Sequence, residues 1–254
     1  MSRRHALLLT AMLAALPAFA APGDEPDPLH SGRWPDVRKE FFADAPVHFD
    51  PRVVVTAPAS AEDSMNVPVS VRVEGGLEVR RMVIFAELNP IVRVLEVEPL
   101  QAAPYVSFRM KLQQGSPVRA AVLDGAGTWH VGGMWVDAAG GGCTAPSAGR
   151  ANPDWQSHLG EVTSHAWSRP DGLTRLRLRI SHPMDTGLAA GIPAFYLQKL
   201  SLTDETGAEY LRLATFEPLS ENPVLGFDIP ARAGRVLHLT GVDNNGNRVD
   251  RVLP

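Results

Sequence analysis

Leu173-Thr174-Arg175-Leu176-Arg177-Leu178-Arg179-Ile180 decides the fold class. Every second residue is apolar and those between are polar, the two-residue period of a strand with one buried and one wet face. Working outward, Arg52-Val53-Val54-Val55 and Val67-Pro68-Val69-Ser70-Val71-Arg72-Val73 cluster or alternate β-branched residues in the same manner. Gly75-Gly76, Asp124-Gly125, Asp171-Gly172 and Asn245-Gly246 supply turn chemistry between such segments. Short strands spaced by roughly ten residues favour an all-β sandwich over a βαβ arrangement. The 22 glycines and 22 prolines among 254 residues suit strands broken by turns. One helix is expected, two turns over Pro35 to Phe42.

The pattern occurs twice. Pro104, Phe108, Asp124 and Gly127 recur as Pro223, Phe227, Asp243 and Gly246, all at an offset of 119 residues. Val106, Val118 and Ala120 match Leu225, Leu237 and Leu239, so the apolar alternation recurs in register. The reading is two β-sandwich domains in tandem, at 44–139 and 160–254. An N-terminal segment over 21–43 precedes them, and a breaker-rich segment over 140–159 joins them. The stretch from Ala138 to Pro153 is small and polar, which predicts a flexible linker.

Residues 1–20 read as a cleavable export signal: Arg3 and Arg4, a short apolar run from Ala6 to Leu16, then Ala18-Phe19-Ala20 as a cleavage site. The run falls short of the ~20 apolar residues that span a bilayer, and no later stretch is apolar enough for a membrane span. The paired arginines fit twin-arginine export and many Sec signals alike. A periplasmic location follows. Removing the signal takes the net charge from −4 to −6, since two of the 24 Lys+Arg lie in it and none of the 28 Asp+Glu does. A mildly acidic chain argues against nucleic acid, whose phosphates require clustered cations.

Exported proteins normally pair their cysteines, and this chain has one, Cys143. It follows Gly140-Gly141-Gly142 and precedes Ala145-Pro146, so the flanks read as permissive and unshielded. The stretch from Ala138 to Cys143 spans roughly 17 Å if extended. A free thiol of pKa about 8.5 is only ~3% thiolate at pH 7, which suits a group loaded by an enzyme better than one that catalyses alone. An incidental linker cysteine and an intermolecular disulfide are the alternatives at this point.

Gly140-Gly141-Gly142-Cys143 at the end of a β domain resembles the carrier arm of the SoxY subunit, usually Gly-Gly-Cys-Gly-Gly. Pro58, Ala61-Glu62-Asp63, Val67-Pro68-Val69, Glu87-Leu88-Asn89-Pro90 and Val106-Ser107-Phe108-Arg109 follow that family's order. Ser181-His182-Pro183-Met184-Asp185-Thr186-Gly187-Leu188 resembles the signature of SoxZ, and Ile192-Pro193, Asn222-Pro223, Phe227 and Asp243-Asn244-Asn245-Gly246 come in its order. The resemblance runs from about residue 50 to 250. It implies a single-chain fusion similar to the SoxYZ-like carriers associated with quinoprotein dehydrogenases, with immunoglobulin-like sandwiches. In that family the cysteine carries sulfur intermediates of thiosulfate oxidation between periplasmic enzymes. The family arm ends its chain; here Thr144-Ala145-Pro146 and about 100 further residues follow, so the arm is a closed loop.

The resemblance thus implies Cys143 as covalent carrier on an arm of Gly140, Gly141 and Gly142. Expected partners are periplasmic redox or sulfur-processing enzymes, with a quinoprotein dehydrogenase system among the candidates, and the expected state is a monomer or weak oligomer. The alternative is a non-catalytic module that assists such a dehydrogenase, the thiol being incidental. His182-Pro183-Met184 contains soft or borderline metal ligands but reads better as an ordered bend. His130, His158 and His165 lack zinc-site spacing, and there is no C-x-x-C-H haem motif. Neighbouring Glu62 and Asp63 on a strand would face opposite ways, so they read as a turn. With no nucleophile elbow or Gly-rich loop before a helix, no catalytic residue, metal or cofactor is expected.

Overall fold

The computed structural model describes residues 25–231 and 236–253; the export signal expected over 1–20 lies outside them. The first half contributes a helix α1 (Trp34–Phe42) and nine strands: β1 (Val47–Phe49), β2 (Val53–Thr56), β3 (Ser60–Ala61), β4 (Val67–Val73), β5 (Val79–Ala86), β6 (Arg93–Glu98), β7 (Tyr105–Met110), β8 (Ser116–Asp124) and β9 (Trp129–Ala138). After two 3-10 turns, Ala148–Ala151 and Trp155–His158, come β10 (Val162–Ser168), β11 (Leu173–Ile180), β12 (Leu197–Asp204), β13 (Glu209–Thr215), β14 (Val224–Pro230), β15 (Leu237–Asp243) and β16 (Arg248–Leu253).

The alternating segment forms β11 as read: Leu176, Leu178 and Ile180 are buried while Arg177 and Arg179 are exposed. Alternation fails in β5, where Met82 to Ala86 are all buried. The reason is α1. Its Trp34, Val37 and Phe42 cover the outer face of the sheet over Val83, Phe85, Ala121 and Val131, so this patch is buried on both sides. Pro35 suits the first turn of α1, where a missing N–H leaves no bond unmade.

The strands form two sheets, one in the order β1-β9-β8-β5-β6-β13-β12-β15-β16, with β3 beside β9, the other β10-β11-β14-β7-β4-β2. Both continue across the junction of the halves. Under the 119-residue repeat β6 corresponds to β13 and β7 to β14, and each strand pairs antiparallel with its own counterpart. Ser107 lies opposite Gly226, its own repeat equivalent. Self-pairing of equivalent strands in both sheets is the signature of an approximate two-fold axis between the halves. The core follows suit: one cluster runs from Val69 and Val106 in the first half to Leu176, Leu225 and Phe227 in the second. The architecture is therefore a pair of β-sandwiches joined edge to edge, not two bodies strung on a linker.

Candidate functional site

Strand β9 ends at Ala138 beside the first half's rim, and the chain turns back along the segment that follows β7. Gly141 N–H donates to Gln113 O (3.0 Å) and Gly142 N–H to Leu112 O (3.0 Å), while Gly140 N–H reaches Ser64 Oγ (3.1 Å). Gly140 and Gly141 hold left-handed φ of 100° and 82°, which side chains resist. A Cβ on Gly142 would overlap the carbonyl oxygens of Ser64 and Leu112. The glycines thus serve close packing and a left-handed turn.

This corrects the sequence reading of 140–159 as a free arm with an unshielded thiol. Cys143 is fully buried. Its N–H donates to Gln113 Oε1 (3.2 Å), its sulfur lies 3.9 Å from Lys111 O, and its carbonyl accepts the Thr186 hydroxyl (2.5 Å). Burial pushes the thiol up to about 11, and the Lys111 ammonium only partly opposes that rise. The docked thiol is therefore protonated and shielded at neutral pH.

The seat is built from both halves. From the first, buried Asn89 fixes the segment after β7, donating to Lys111 O (2.9 Å) and accepting from Gln113 N–H (2.8 Å). From the second, the Ser181–Leu188 loop closes over the arm. Lys111 Nζ donates to Met184 O. Asp185 accepts Ser147 N–H (3.2 Å) and Arg150 Nε (2.5 Å), fastening the chain beyond the cysteine. Burial pulls the Lys111 ammonium downward in pKa, while Asp185, Cys143 and Glu221 pull it back up. An open cleft of about 590 Å³, lined by Asn89, Gln113, Thr144 and Leu188, borders the docked arm.

His182 and Met184 are occupied by the bend itself. His182 Nδ1 accepts Met184 N–H (3.1 Å), which leaves the ring proton on Nε2, facing Asp243 Oδ2 at 3.4 Å. Met184 sulfur accepts Leu197 N–H (3.4 Å), and Met184 itself takes φ of 53°. Burial lowers His182 to about 4, so the ring is neutral. His130, by contrast, bridges Asp50 (2.8 Å) and Asp124 (2.9 Å) and clamps the end of β8 to the β1–β2 turn. His158 pairs with Glu161 (3.0 Å) at the surface, and His165 stands exposed on β10. Glu62 is exposed after β3, while Asp63 caps a turn through Met65 N–H and Asn66 Nδ2. Among the described residues no three His, Cys, Asp or Glu side chains are placed to hold a metal, and no helix is long and apolar enough to cross a membrane.

Lys111, Gln113 and Thr144 carry no motif that would single them out, since a buried lysine after a strand looks like any surface lysine. Asn89, Asp185 and Thr186 lie inside the motifs quoted above, but their task of seating the cysteine appears only when the two halves meet.

A family model for sulfur oxidation protein SoxY matches residues 38–143, ending on the cysteine, and one for sulphur oxidation protein SoxZ matches 162–253. Among solved structures, the sulfur carrier protein SoxY from Chlorobium limicola f thiosulfatophilum is 24% identical, with 41% of this chain and 90% of that one covered and a TM-score of 0.37. A superoxide reductase (neelaredoxin) from Ignicoccus hospitalis is 20% identical over 36% of this chain and 80% of that one, with a TM-score of 0.31. None of the curated proteins compared matches the chain. The two family models in tandem carry the assignment.

Proposed function

We propose, because this chain belongs to the SoxYZ-like sulfur carriers as a SoxY domain fused to a SoxZ domain, that it holds a sulfur-containing or other thiol-reactive intermediate covalently on Cys143 for processing by partner enzymes. The observation that carries this reading is the seat: the one cysteine of the chain is gripped by Gln113 from one half and Thr186 from the other. An incidental linker cysteine would have no reason to sit where both halves close on it. Docking keeps the thiol protonated and covered between visits to enzymes. Loading requires the arm to leave, which breaks the bonds from Gly141, Gly142 and Thr186 and returns the sulfur to water, where its pKa relaxes. Because the arm is tethered at both ends, a partner must accept it as a loop, with both strands of chain leaving the pocket.

The residue 1–20 signal pattern supports a periplasmic setting. Periplasmic redox or sulfur-processing enzymes, including a quinoprotein dehydrogenase system, are the proposed partners, and the chain itself is proposed to be non-catalytic. Intact mass spectrometry of protein isolated from its native periplasm tests this against Cys143→Ser. An adduct confined to wild type is expected; wild type bare under every growth condition, with a silent Cys143→Ser, would sink the proposal.

A further inference from the structure

The outer face of the six-stranded sheet carries a patch whose charge runs against the rest of the molecule. Across its middle, Gly226, Ser107 and Ser70 lie side by side on β14, β7 and β4. Gly226 has no side chain and Ser107 and Ser70 have short ones, so the middle of this face stays low. These small residues floor a trough of about 680 Å³. Arg109 and Arg177 stand exposed over it. Arg175 is held rigidly on the other side, paired with Asp228 and 4.0 Å above the Tyr105 ring. Trp167, 47% exposed, lines the trough's end.

Asp228 is already engaged by Arg175 and Arg169. Among the described residues, no carboxylate lies within ion-pair distance of Arg109 or Arg177. Two unpaired guanidinium forks above a floor of small residues match carboxylates, which guanidinium binds in bidentate fashion. An exposed tryptophan beside them supplies the aromatic anchor that recurs at interface hot spots. Trp167 on β10 and Thr56 on β2 lie at opposite edges of the sheet; with strands ~4.8 Å apart and an extended chain rising ~3.3 Å per residue, about seven residues of a partner would cross between them.

We infer that this trough docks an acidic extended segment of a partner protein. Its position gives the docking a purpose. Arg109 lies two residues before Lys111 on the same run of chain that seats Cys143, so a partner held here is brought to the end of β7 where the arm is released. For that purpose the inference rests on the carrier reading; the charge and shape of the trough do not.

The test uses the full chain and a fluorescein-labelled decapeptide of alternating glutamate and alanine, read by anisotropy at low and physiological salt. Saturable, salt-sensitive binding is expected, with amide NMR shifts confined to β4, β7, β11 and β14. Arg109→Glu/Arg177→Glu should weaken it by about tenfold or more, as two lost surface ion pairs of ~0.7 kcal/mol each would. Arg80→Glu/Arg251→Glu makes the same charge change at exposed arginines elsewhere and should leave binding intact. Absence of saturable binding, equal loss in both double variants, or equal binding of anionic lipid vesicles would each overturn the inference. Native Cys143 mass separates it from the carrier reading. A bare thiol in wild type counts against the carrier, whereas an adduct equally abundant in wild type and Arg109→Glu/Arg177→Glu counts against the docking surface.

Discussion

At the scale of single residues, what distinguishes Cys143 is how thoroughly it is put away. With its pKa moved from 9.0 to about 11 by burial, the thiolate fraction at pH 8 falls on the order of a hundredfold. Alkylation by iodoacetamide at pH 8 should therefore lag that of an unfolded control by at least this factor, and its rate should keep climbing through pH 9 to 11. Thr186→Val removes the hydroxyl that holds the Cys143 carbonyl while keeping the shape. Losing one buried hydrogen bond costs about 1–2 kcal/mol, so labelling should quicken by about tenfold if opening of the arm limits it; an unchanged rate would show that this bond does not hold the arm. Gly142→Ala is the harsher version. Its Cβ meets two backbone oxygens that cannot step aside, and overpacking of this kind costs about 1–3 kcal/mol. The same substitution at Gly141, which has open space around its Cβ position but a left-handed φ, should displace the arm less. Glycines before a lone cysteine are legible in sequence as an arm. Whether they serve freedom or close fit is not, because both uses select the same residue.

At the scale of elements, the Ser181–Leu188 loop is the lid of the seat, and neutral His182 is its hinge pin. Its ring lies 4.4 Å from the Phe195 ring, tilted by 46°, and caps Met184 N–H; that cap requires an unprotonated Nδ1. The folded pKa of about 4 lies below the ordinary 6.5, chiefly through burial, with Asp243 and Asp185 pulling the other way and Arg150 adding to the fall. A depressed pKa contributes stability that is full above 6.5 and is lost as pH falls through 4. The loss attributable to this ring is on the order of 3 kcal/mol. Chemical denaturation at pH 7 and pH 4 should show it, and His182→Gln should flatten that difference. The HPM run is legible as a bend from Pro183 and Gly187, but the lid role is not, since it depends on Lys111 and Cys143 arriving from more than thirty residues away. The helix is a parallel case. Pro35 marks its start, yet only the structure explains why β5 abandons alternation beneath it. Trp34→Ala should cost about 3–5 kcal/mol, because Trp34 also covers Arg119, whose guanidinium lies 4.6 Å from its ring and is ion-paired to Asp27 and Glu87; urea midpoints would measure this.

At the scale of the whole molecule, the repeat was readable from Phe108 and Phe227 or Asp124 and Asp243, but its geometric consequence was not. A repeat in sequence says that two halves are alike; it does not say that they pair through β6–β13 and β7–β14. Those two seams, together with a core shared from Val106 to Phe227, make the junction a continuation of the sandwich interior. The covalent link over 140–159 is then expected to be dispensable for holding the halves together. This can be checked by inserting a specific protease site between Asn152 and Asp154, in the exposed stretch between the two 3-10 turns, and cutting the folded protein. The halves should co-elute as one particle after cleavage and separate only in denaturant. The uncut chain should unfold in a single transition seen alike by fluorescence and circular dichroism. Phe227→Ala supplies the converse, since it empties the core where β14 pairs with β7 opposite Val106; the cut variant should then fall apart into two species under conditions where the cut parent does not. Dissociation of the cut parent itself would mean that the linker, not the paired sheets, holds this carrier together.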